Sequence, residues 1–190
     1  FLFDAVQSDD VFFLAWTTTP WTLPSNLGLA VGSNIDYVLV KTFNPYTHLP
    51  VNVVLAKALL NTYFKAEEEN GDFENYSPGT KALPWKILKA VKGKDLEHIT
   101  YEQLLPFEAN SIKKIREITP NADPFKIVIA DFVTTEDGTG IVHTAPAFGA
   151  DDYKVGQKYR LGILTLVDRE GKFINGVGEF SNRYVKNYKD

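Results

Sequence analysis

The apolar residues of this chain fall mainly into short runs rich in β-branched and aromatic side chains, which predict buried strands. Turn-forming residues separate these runs, and no β-α rhythm repeats along the chain. We therefore expect an α+β fold, a mixed β-barrel with flanking helices, forming one domain over residues 1–190. The predicted strands are residues 11–15, 37–40, 51–55, 126–134, 139–144, 164–167 and 173–177.

Two segments have a helical period instead. Apolar side chains at i, i+4, i+8 and i+11 predict an amphipathic helix over residues 56–69. A shorter helix is expected over residues 151–161, where Asp151 or Asp152 caps the start and Gly162 follows the end.

Turns and charge define three further segments. Residues 27–41 predict a hairpin or meander because a Gly-Ser-Asn-Ile-Asp turn separates two apolar stretches. Residues 111–125 are charged and contain proline, which predicts connecting structure. In residues 85–94, four lysines lie among apolar residues, which indicates the solvated side of a half-buried element; contact with phosphate is the alternative.

Composition restricts the available chemistry. The 190 residues include no cysteine and three histidines, which leaves no thiol nucleophile and no metal-ligand spacing, so we expect neither a metal nor a cofactor. No apolar run approaches the ~18 residues of a membrane span. The net charge of −4 argues against a domain that holds nucleic acid by charge alone. The absence of methionine predicts a fragment excised from a larger protein.

Hydroxyl groups collect after the first predicted strand, in the sequence WTTTPWTLPSN at residues 16–26. Thr17, Thr18 and Thr19 would alternate faces in an extended segment, and Asn26 adds an amide after two proline turns. Threonines are common at strand ends, so a structural role is the alternative. The arrangement would provide neutral hydrogen-bond donors and acceptors but no strong base.

A second polar segment reads GTGIVHTAPAFGADDY at residues 138–153. A dinucleotide loop is rejected because the third glycine is missing and a strand follows. A carboxylate at a helix N-terminus is held ionised by the dipole, so Asp152 would be a fixed anion suited to an ammonium group; a plain N-cap is the alternative. His143 lies among apolar residues, where a lone histidine is more often part of a packed core than a catalyst.

The first segment resembles the threonine-rich motif of the editing (CP1) domain inserted in isoleucyl-tRNA synthetases. The second resembles the G-T-G-x-V-H-x-A-P-x-x-G-x-D-D-Y motif of the same domain, and the two motifs follow in the same order along the chain. The related leucyl and valyl enzymes have a similar motif, T-T-R-P-E-T or T-T-R-P-D-T. This chain has Thr19 in place of its arginine and Trp21 in place of its acidic residue. Residues 93–107 resemble the family's G-x-x-L-x-G-x-x-Y turn, with His98 at the middle glycine.

The resemblance implies a role for each motif residue. Asp152 would bind the α-ammonium of an aminoacyl group, while Asp151 caps the helix or does nothing. His143 would line the amino-acid pocket as a size gate, with general-base action secondary. The implied catalytic residues are Thr17, Thr18 and Asp152, and the implied substrate-binding residues are Thr19, Asn26 and His143.

The implied activity is hydrolysis of valine misattached to tRNA(Ile), with valyl-adenylate as a further substrate. Because one methylene is worth only ~1–3 kcal/mol of selectivity, a second sieve is needed; isoleucine against valine is the standing example of this limit. No Ser-His-Asp elbow is present, so water would attack directly, and the ribose hydroxyl of the substrate is a candidate proton acceptor. The expected partners are the tRNA(Ile) 3′ end and the remainder of the parent synthetase, with the fragment monomeric.

Two other functions stay open: a non-catalytic module that binds the aminoacyl-tRNA 3′ end, and a structural insertion whose motif residues only pack. Phe148 and the acidic loop at residues 67–76 resemble the eukaryotic cytosolic branch of the family, which implies a cytoplasmic location.

Overall fold

The computed structural model describes residues 10–80 and 82–186, which divide into two compact units. The first unit contains the described residues up to Trp16 together with those of Val31–Leu96 and Val133–Ile141. The second contains Thr17–Ala30, Glu97–Phe132 and the described residues from Val142 onward. Within these residues, no helix has both the length and the apolar character needed to cross a membrane.

A four-stranded sheet forms the first unit, in the order β1-β4-β3-β5. β3 and β4 form an antiparallel hairpin, β5 pairs antiparallel with β3, and β1 runs parallel to β4. β5 is half-buried at five of its seven positions and exposed at Ala90 and Lys92, in agreement with the half-buried element predicted for the lysine-rich segment. The bounds are Val11–Phe13 for β1, Asp36–Phe43 for β3, Pro50–Ala56 for β4 and Lys86–Lys92 for β5.

The core of the first unit explains why its predicted helix is short. Val38 and Val40 of β3 pack with residues of β4 on one sheet face, and Phe64 and Trp85 close the cluster with ring centroids 5.5 Å apart. Phe64 adopts extended backbone at φ −126°, which ends the helix. The helix predicted over residues 56–69 is therefore wrong: the chain forms α1, Leu60–Tyr63, between two single-turn 3-10 segments.

A close backbone approach in the first unit gives a testable result. Gly140 has φ +72°, and an added Cβ would lie 2.4 Å from the Cβ of Ala56 on β4. We expect Gly140→Ala to lower the free energy of unfolding by roughly 2–4 kcal/mol, because it combines left-handed strain with overpacking. Gly79→Ala is the matched control, since Gly79 has φ +91° but no heavy atom within 4 Å of the added Cβ. Equal losses for the two variants in denaturant unfolding would contradict this account.

A three-stranded sheet, in the order β6-β2-β7, organises the second unit. Its strands are Gly28–Val31 for β2, Lys126–Ile129 for β6 and Ile141–Thr144 for β7. Because β2 and β3 belong to different sheets, the predicted hairpin over residues 27–41 is wrong. The predicted strand at residues 126–134 exists but is shorter.

Two helices belong to the second unit. α2, Ile112–Ile118, lies in the segment expected to be connecting structure, and it is held by the fully buried Ile115. α3, Ala150–Tyr159, matches the predicted short helix. Its C-cap residue is Arg160, which has a left-handed backbone, and Gly162 follows. The predicted pairing near residues 164–177 consists of one antiparallel bridge between Val167 and Phe173.

The strands and the few short helices confirm the predicted mixture of α and β structure. The predicted barrel is not observed. The described strands form two separate sheets, of four and three strands, and neither is closed on itself. Edge strands such as β1 and β5 therefore have one side without a strand partner in their sheet.

Candidate functional site

The threonine-rich segment turns sharply because of its prolines. Pro20 begins the 3-10 helix Pro20–Ser25, and Thr19 is its N-cap residue, without a side-chain capping bond. A 3-10 helix has three residues per turn, so Thr19 and Thr22 stack on one face, with their hydroxyls 3.4 Å apart. Thr17 continues the same face: its hydroxyl lies 3.3 Å from that of Thr19 and accepts the Thr19 N–H at 3.0 Å.

His143, on β7, is hydrogen-bonded to this turn at Thr22 and at its C-cap residue, Asn26. Its Nε2 lies 2.9 Å from the hydroxyl of Thr22, and its Nδ1 lies 2.8 Å from the amide nitrogen of Asn26. The Tyr101 hydroxyl donates to the amide oxygen of Asn26 at 2.5 Å. We call these hydrogen-bonded side chains the polar network; its members are Thr17, Thr19, Thr22, Asn26, Tyr101 and His143.

The inner part of the polar network is buried and uncharged. Thr22, Asn26 and His143 are between 5% and 8% exposed. Burial lowers the pKa of His143 from 6.5 to about 4, so its imidazole is neutral at physiological pH. Burial likewise raises the pKa of Tyr101, which stays a hydrogen-bond donor. The outer part is more open, because Thr17 is half-buried and Thr18 is exposed.

Asp152 lies in the first turn of α3 and not at its cap. The N-cap residue is Gly149 and no side chain caps the helix, so the prediction that Asp151 or Asp152 caps it is wrong. Asp152 Oδ2 instead accepts the N–H of Ala145 at 2.9 Å, which ties α3 to the end of β7. Asp151 is exposed and pairs with Lys154 at 2.9 Å.

The direction of the Asp152 pKa shift differs from the sequence-based expectation. We expected the helix dipole and free amides to hold this carboxylate ionised. Burial raises the pKa of Asp152 above its ordinary value, and the nearby Asp151 charge raises it further, against the lowering effect of the Ala145 hydrogen bond. Loss of solvation therefore outweighs the Ala145 hydrogen bond, and among the residues that the structure describes no cation compensates the ionised carboxylate.

The structure brings together four of the six predicted site residues, namely Thr17, Thr19, Asn26 and His143. Asp152 is joined to the same strand end only through the Ala145 backbone, and the Thr18 side chain takes no part in the polar network. Their catalytic and binding roles remain predictions.

Sequence reasoning missed Thr22 and Tyr101. Thr22 lies inside the quoted motif, and its i, i+3 spacing from Thr19 would have indicated it once a 3-10 turn was assumed. Tyr101 is the last residue of the G-x-x-L-x-G-x-x-Y resemblance. His98, at the middle glycine of that pattern, has φ +67°, a conformation that glycine adopts readily.

A separate cleft of about 330 Å³ opens beside α3 in the second unit. Pro146, Tyr153, Gly156 and Arg160 contribute to its lining, and none of the predicted site residues does. Within the residues that the structure describes, no group of three or more potential metal-ligating side chains occurs. The polar network, and not this cleft, is the part of the molecule that matches the predicted site.

The fold defines a class of domain. No family model matches the chain. Among solved structures, it is similar to the editing domain of the cytosolic leucyl-tRNA synthetase of P. knowlesi, with a TM-score of 0.55 and 18% sequence identity, covering 82% of this chain and 52% of that one. The chain therefore has the fold of a synthetase editing domain.

The sequence relatives are isoleucine–tRNA ligases. The chain is 50% identical to the isoleucine–tRNA ligase of Cytophaga hutchinsonii over 189 residues, covering 94% of this chain and 16% of the ligase. It is also 50% identical to that of Porphyromonas gingivalis over 163 residues, covering 85% and 14%. Its homologues are thus segments of isoleucine–tRNA ligases, and the chain spans about one-sixth of their length. Since these relatives are bacterial, the assignment to the eukaryotic cytosolic branch is not supported.

Proposed function

We propose that this chain is the editing domain of an isoleucyl-tRNA synthetase and hydrolyses the ester of valine misattached to the 3′ end of tRNA(Ile). The observation that carries the proposal is the polar network, which joins residues of two motifs that lie 117 and 121 positions apart. The homologous segments of isoleucine–tRNA ligases and the editing-domain fold support it.

The outer hydroxyls would bind the ester. The Thr17 oxygen accepts the Thr19 N–H, so the hydroxyl proton of Thr17 can be donated outward. Thr18 is exposed beside it. Hydroxyl donors held in this way can stabilise the negative charge that develops on the carbonyl oxygen when water attacks.

Asp152 would bind the α-ammonium of the amino acid. Its raised pKa reflects a carboxylate that has lost solvation without gaining a cation. An ammonium ion would supply that missing charge, so its pairing with Asp152 would offset the cost of desolvating the carboxylate. The Ala145 N–H leaves Asp152 with acceptor capacity for such a ligand.

His143 would act as a wall of the amino-acid site and not as the base. Its imidazole is neutral at physiological pH, and both ring nitrogens already have partners, Thr22 and Asn26. A rigid neutral wall can exclude the extra methylene of isoleucine on steric grounds. The proton of the attacking water would then go to the substrate's own ribose hydroxyl or to another water.

One observation favours a second function, a module that binds the aminoacyl-tRNA 3′ end without cleaving it. Within the polar network, no side chain is both basic and without a hydrogen-bond partner. A domain of this kind would protect the ester from hydrolysis.

Single-turnover deacylation separates the two functions. Valyl-tRNA(Ile) labelled in the amino acid is incubated with excess chain, and the free valine is measured over time against a reaction without protein. We expect the ester to disappear at least tenfold faster with the chain, and isoleucyl-tRNA(Ile) to be spared. An ester that decays no faster than in buffer, while an immobilised sample of the tRNA is retained, would establish the binding module instead.

The chain would work as one part of a larger synthetase in the cytoplasm, and the tRNA would reach it from the remainder of that enzyme. Valyl-adenylate is a second substrate that the same assay can test.

A further inference from the structure

The hydrogen-bond partners of His143 determine where its ring proton lies. The amide nitrogen of Asn26 has only donors to offer; it donates to the Gly28 carbonyl at 2.9 Å and faces His143 Nδ1 at 2.8 Å. Nδ1 must therefore accept, and the single proton of the neutral ring lies on Nε2. Nε2–H then donates to the hydroxyl of Thr22 at 2.9 Å.

The remaining protons agree with this direction. Thr22 donates its own hydroxyl proton to the Thr19 carbonyl at 2.8 Å, so its oxygen is free to accept from the imidazole. A charged His143 would place a second donor opposite the Asn26 amide. Each hydrogen bond in the inner part of the polar network thus has one consistent direction.

Tyr101 determines the orientation of the Asn26 amide at its oxygen end. Its phenol donates to the Asn26 oxygen, while the Gly28 carbonyl holds the nitrogen end. Tyr101 is itself held by its backbone N–H, which donates to the Phe125 carbonyl at 2.9 Å, and by an edge contact between the two rings. The tyrosine is therefore placed before any ligand arrives.

We propose that Tyr101 is a positioning residue that, through Asn26, keeps the proton of His143 on Nε2. This inference rests on the proposed function, because it assigns a cause to the fixed wall of the same site. Without the phenol, the Asn26 oxygen lacks its donor and the amide is held from one end only. The imidazole then samples the Nδ1–H tautomer and other orientations, which weakens discrimination by size.

The test uses Tyr101→Phe, with Tyr159→Phe as the matched control. Tyr159 also has a hydroxyl with two partners in the second unit, the Glu97 carboxylate and the Ile129 N–H, but it lies outside the polar network. With ¹⁵N-labelled histidine, we expect the His143 signals of the wild type and Tyr159→Phe to show a proton on Nε2 alone. Tyr101→Phe should show averaged signals from both tautomers.

Activity gives a second readout. The preference for valyl- over isoleucyl-tRNA(Ile) should fall about threefold to tenfold in Tyr101→Phe, the equivalent of one neutral hydrogen bond, with a smaller change in the rate for the valyl ester. A hydroxyl introduced at another position of the Tyr101→Phe variant should not restore the preference for the valyl ester, whereas reversion to the wild-type tyrosine should.

A second variant keeps the inference testable if Tyr101→Phe does not fold. In Asn26→Asp the carboxylate can only accept, so the ring proton should move to Nδ1. His143 signals that stay on Nε2 in Asn26→Asp, or that are unchanged in Tyr101→Phe, would overturn the inference. A tautomer shift without any hydrolysis by the wild type would support the positioning role and contradict the proposed function.

Discussion

Asp152→Asn is expected to slow hydrolysis of valyl-tRNA(Ile) by at least about 30-fold, while the free energy of unfolding stays unchanged or rises slightly. The loss of rate follows from removing the charge that would pair with the α-ammonium, an effect of roughly 2–5 kcal/mol for a desolvated pair. The asparagine oxygen can still accept the Ala145 N–H, so the link between α3 and β7 is kept.

The expected free energy of unfolding of Asp152→Asn follows from the direction of the Asp152 pKa shift. The pKa of Asp152 is higher in the folded chain than its ordinary value, so folding favours the protonated acid. Its contribution to stability is present at low pH and is lost as pH rises through the folded pKa. At neutral pH the ionised carboxylate therefore destabilises the fold, and a neutral isostere removes that cost.

Asp151→Asn is the matched control, because Asp151 is the exposed neighbour and pairs with Lys154 on the helix surface. Its rate should stay within about twofold of the wild type, as expected for a surface ion pair. The wild-type rate should fall as pH drops through the pKa of Asp152, and that limb should be absent from the residual activity of Asp152→Asn. Equal rates for Asp152→Asn and the wild type would remove Asp152 from the mechanism.

His143→Ala is expected to make isoleucyl-tRNA(Ile) a substrate. Removal of the imidazole opens space in the wall and ends the steric exclusion of one methylene, so discrimination should fall by roughly 10–200-fold. The measurement is the ratio of single-turnover rates for the valyl and isoleucyl esters. His98→Asn is the control, since His98 is exposed and asparagine tolerates its left-handed backbone. A ratio that does not change in His143→Ala would mean that another residue limits size.

The same variant should alter the dependence of stability on pH. Burial lowers the pKa of His143 to about 4, so the folded chain favours the neutral ring. The stabilisation is present above pH ~6.5 and is lost as pH falls toward 4, at about 1.4 kcal/mol per pH unit and roughly 3 kcal/mol in total. His143→Ala should be less stable at pH 7, because Asn26 and Thr22 lose a partner, and the difference from the wild type should narrow at pH 4.

Features that depend on neighbouring residues in the sequence could be predicted, whereas contacts between residues far apart in the sequence could not be predicted from local pattern. The strand at residues 51–55 and the short helix after residue 150 follow from local pattern, and both are observed. The order of the two motifs indicated Thr17, Thr19, Asn26 and His143 because the resemblance carries information about long-range contacts. Without it, residues 117 positions apart have no local signal that they meet.

The misses have physical causes. The helix expected over residues 56–69 is replaced by short turns because Phe64 and Trp85 pack together across 21 positions of sequence. The pKa shift of Asp152 was predicted in the wrong direction because a position in the first helical turn is readable from the sequence, whereas burial is not. Tyr101 was missed because its partner, Asn26, is set by tertiary structure alone.

The two units alternate along the sequence, and this order affects how the chain folds during translation. Each unit is assembled from three separate stretches, so neither can be completed on the ribosome until most of the polypeptide has emerged. At a translation rate of roughly 5–20 residues per second, about 6–25 s separate the synthesis of Thr17 from that of His143. During that time the nascent threonine segment lacks its histidine partner, so slow translation or chaperone binding over residues 20–140 should change the yield of folded protein.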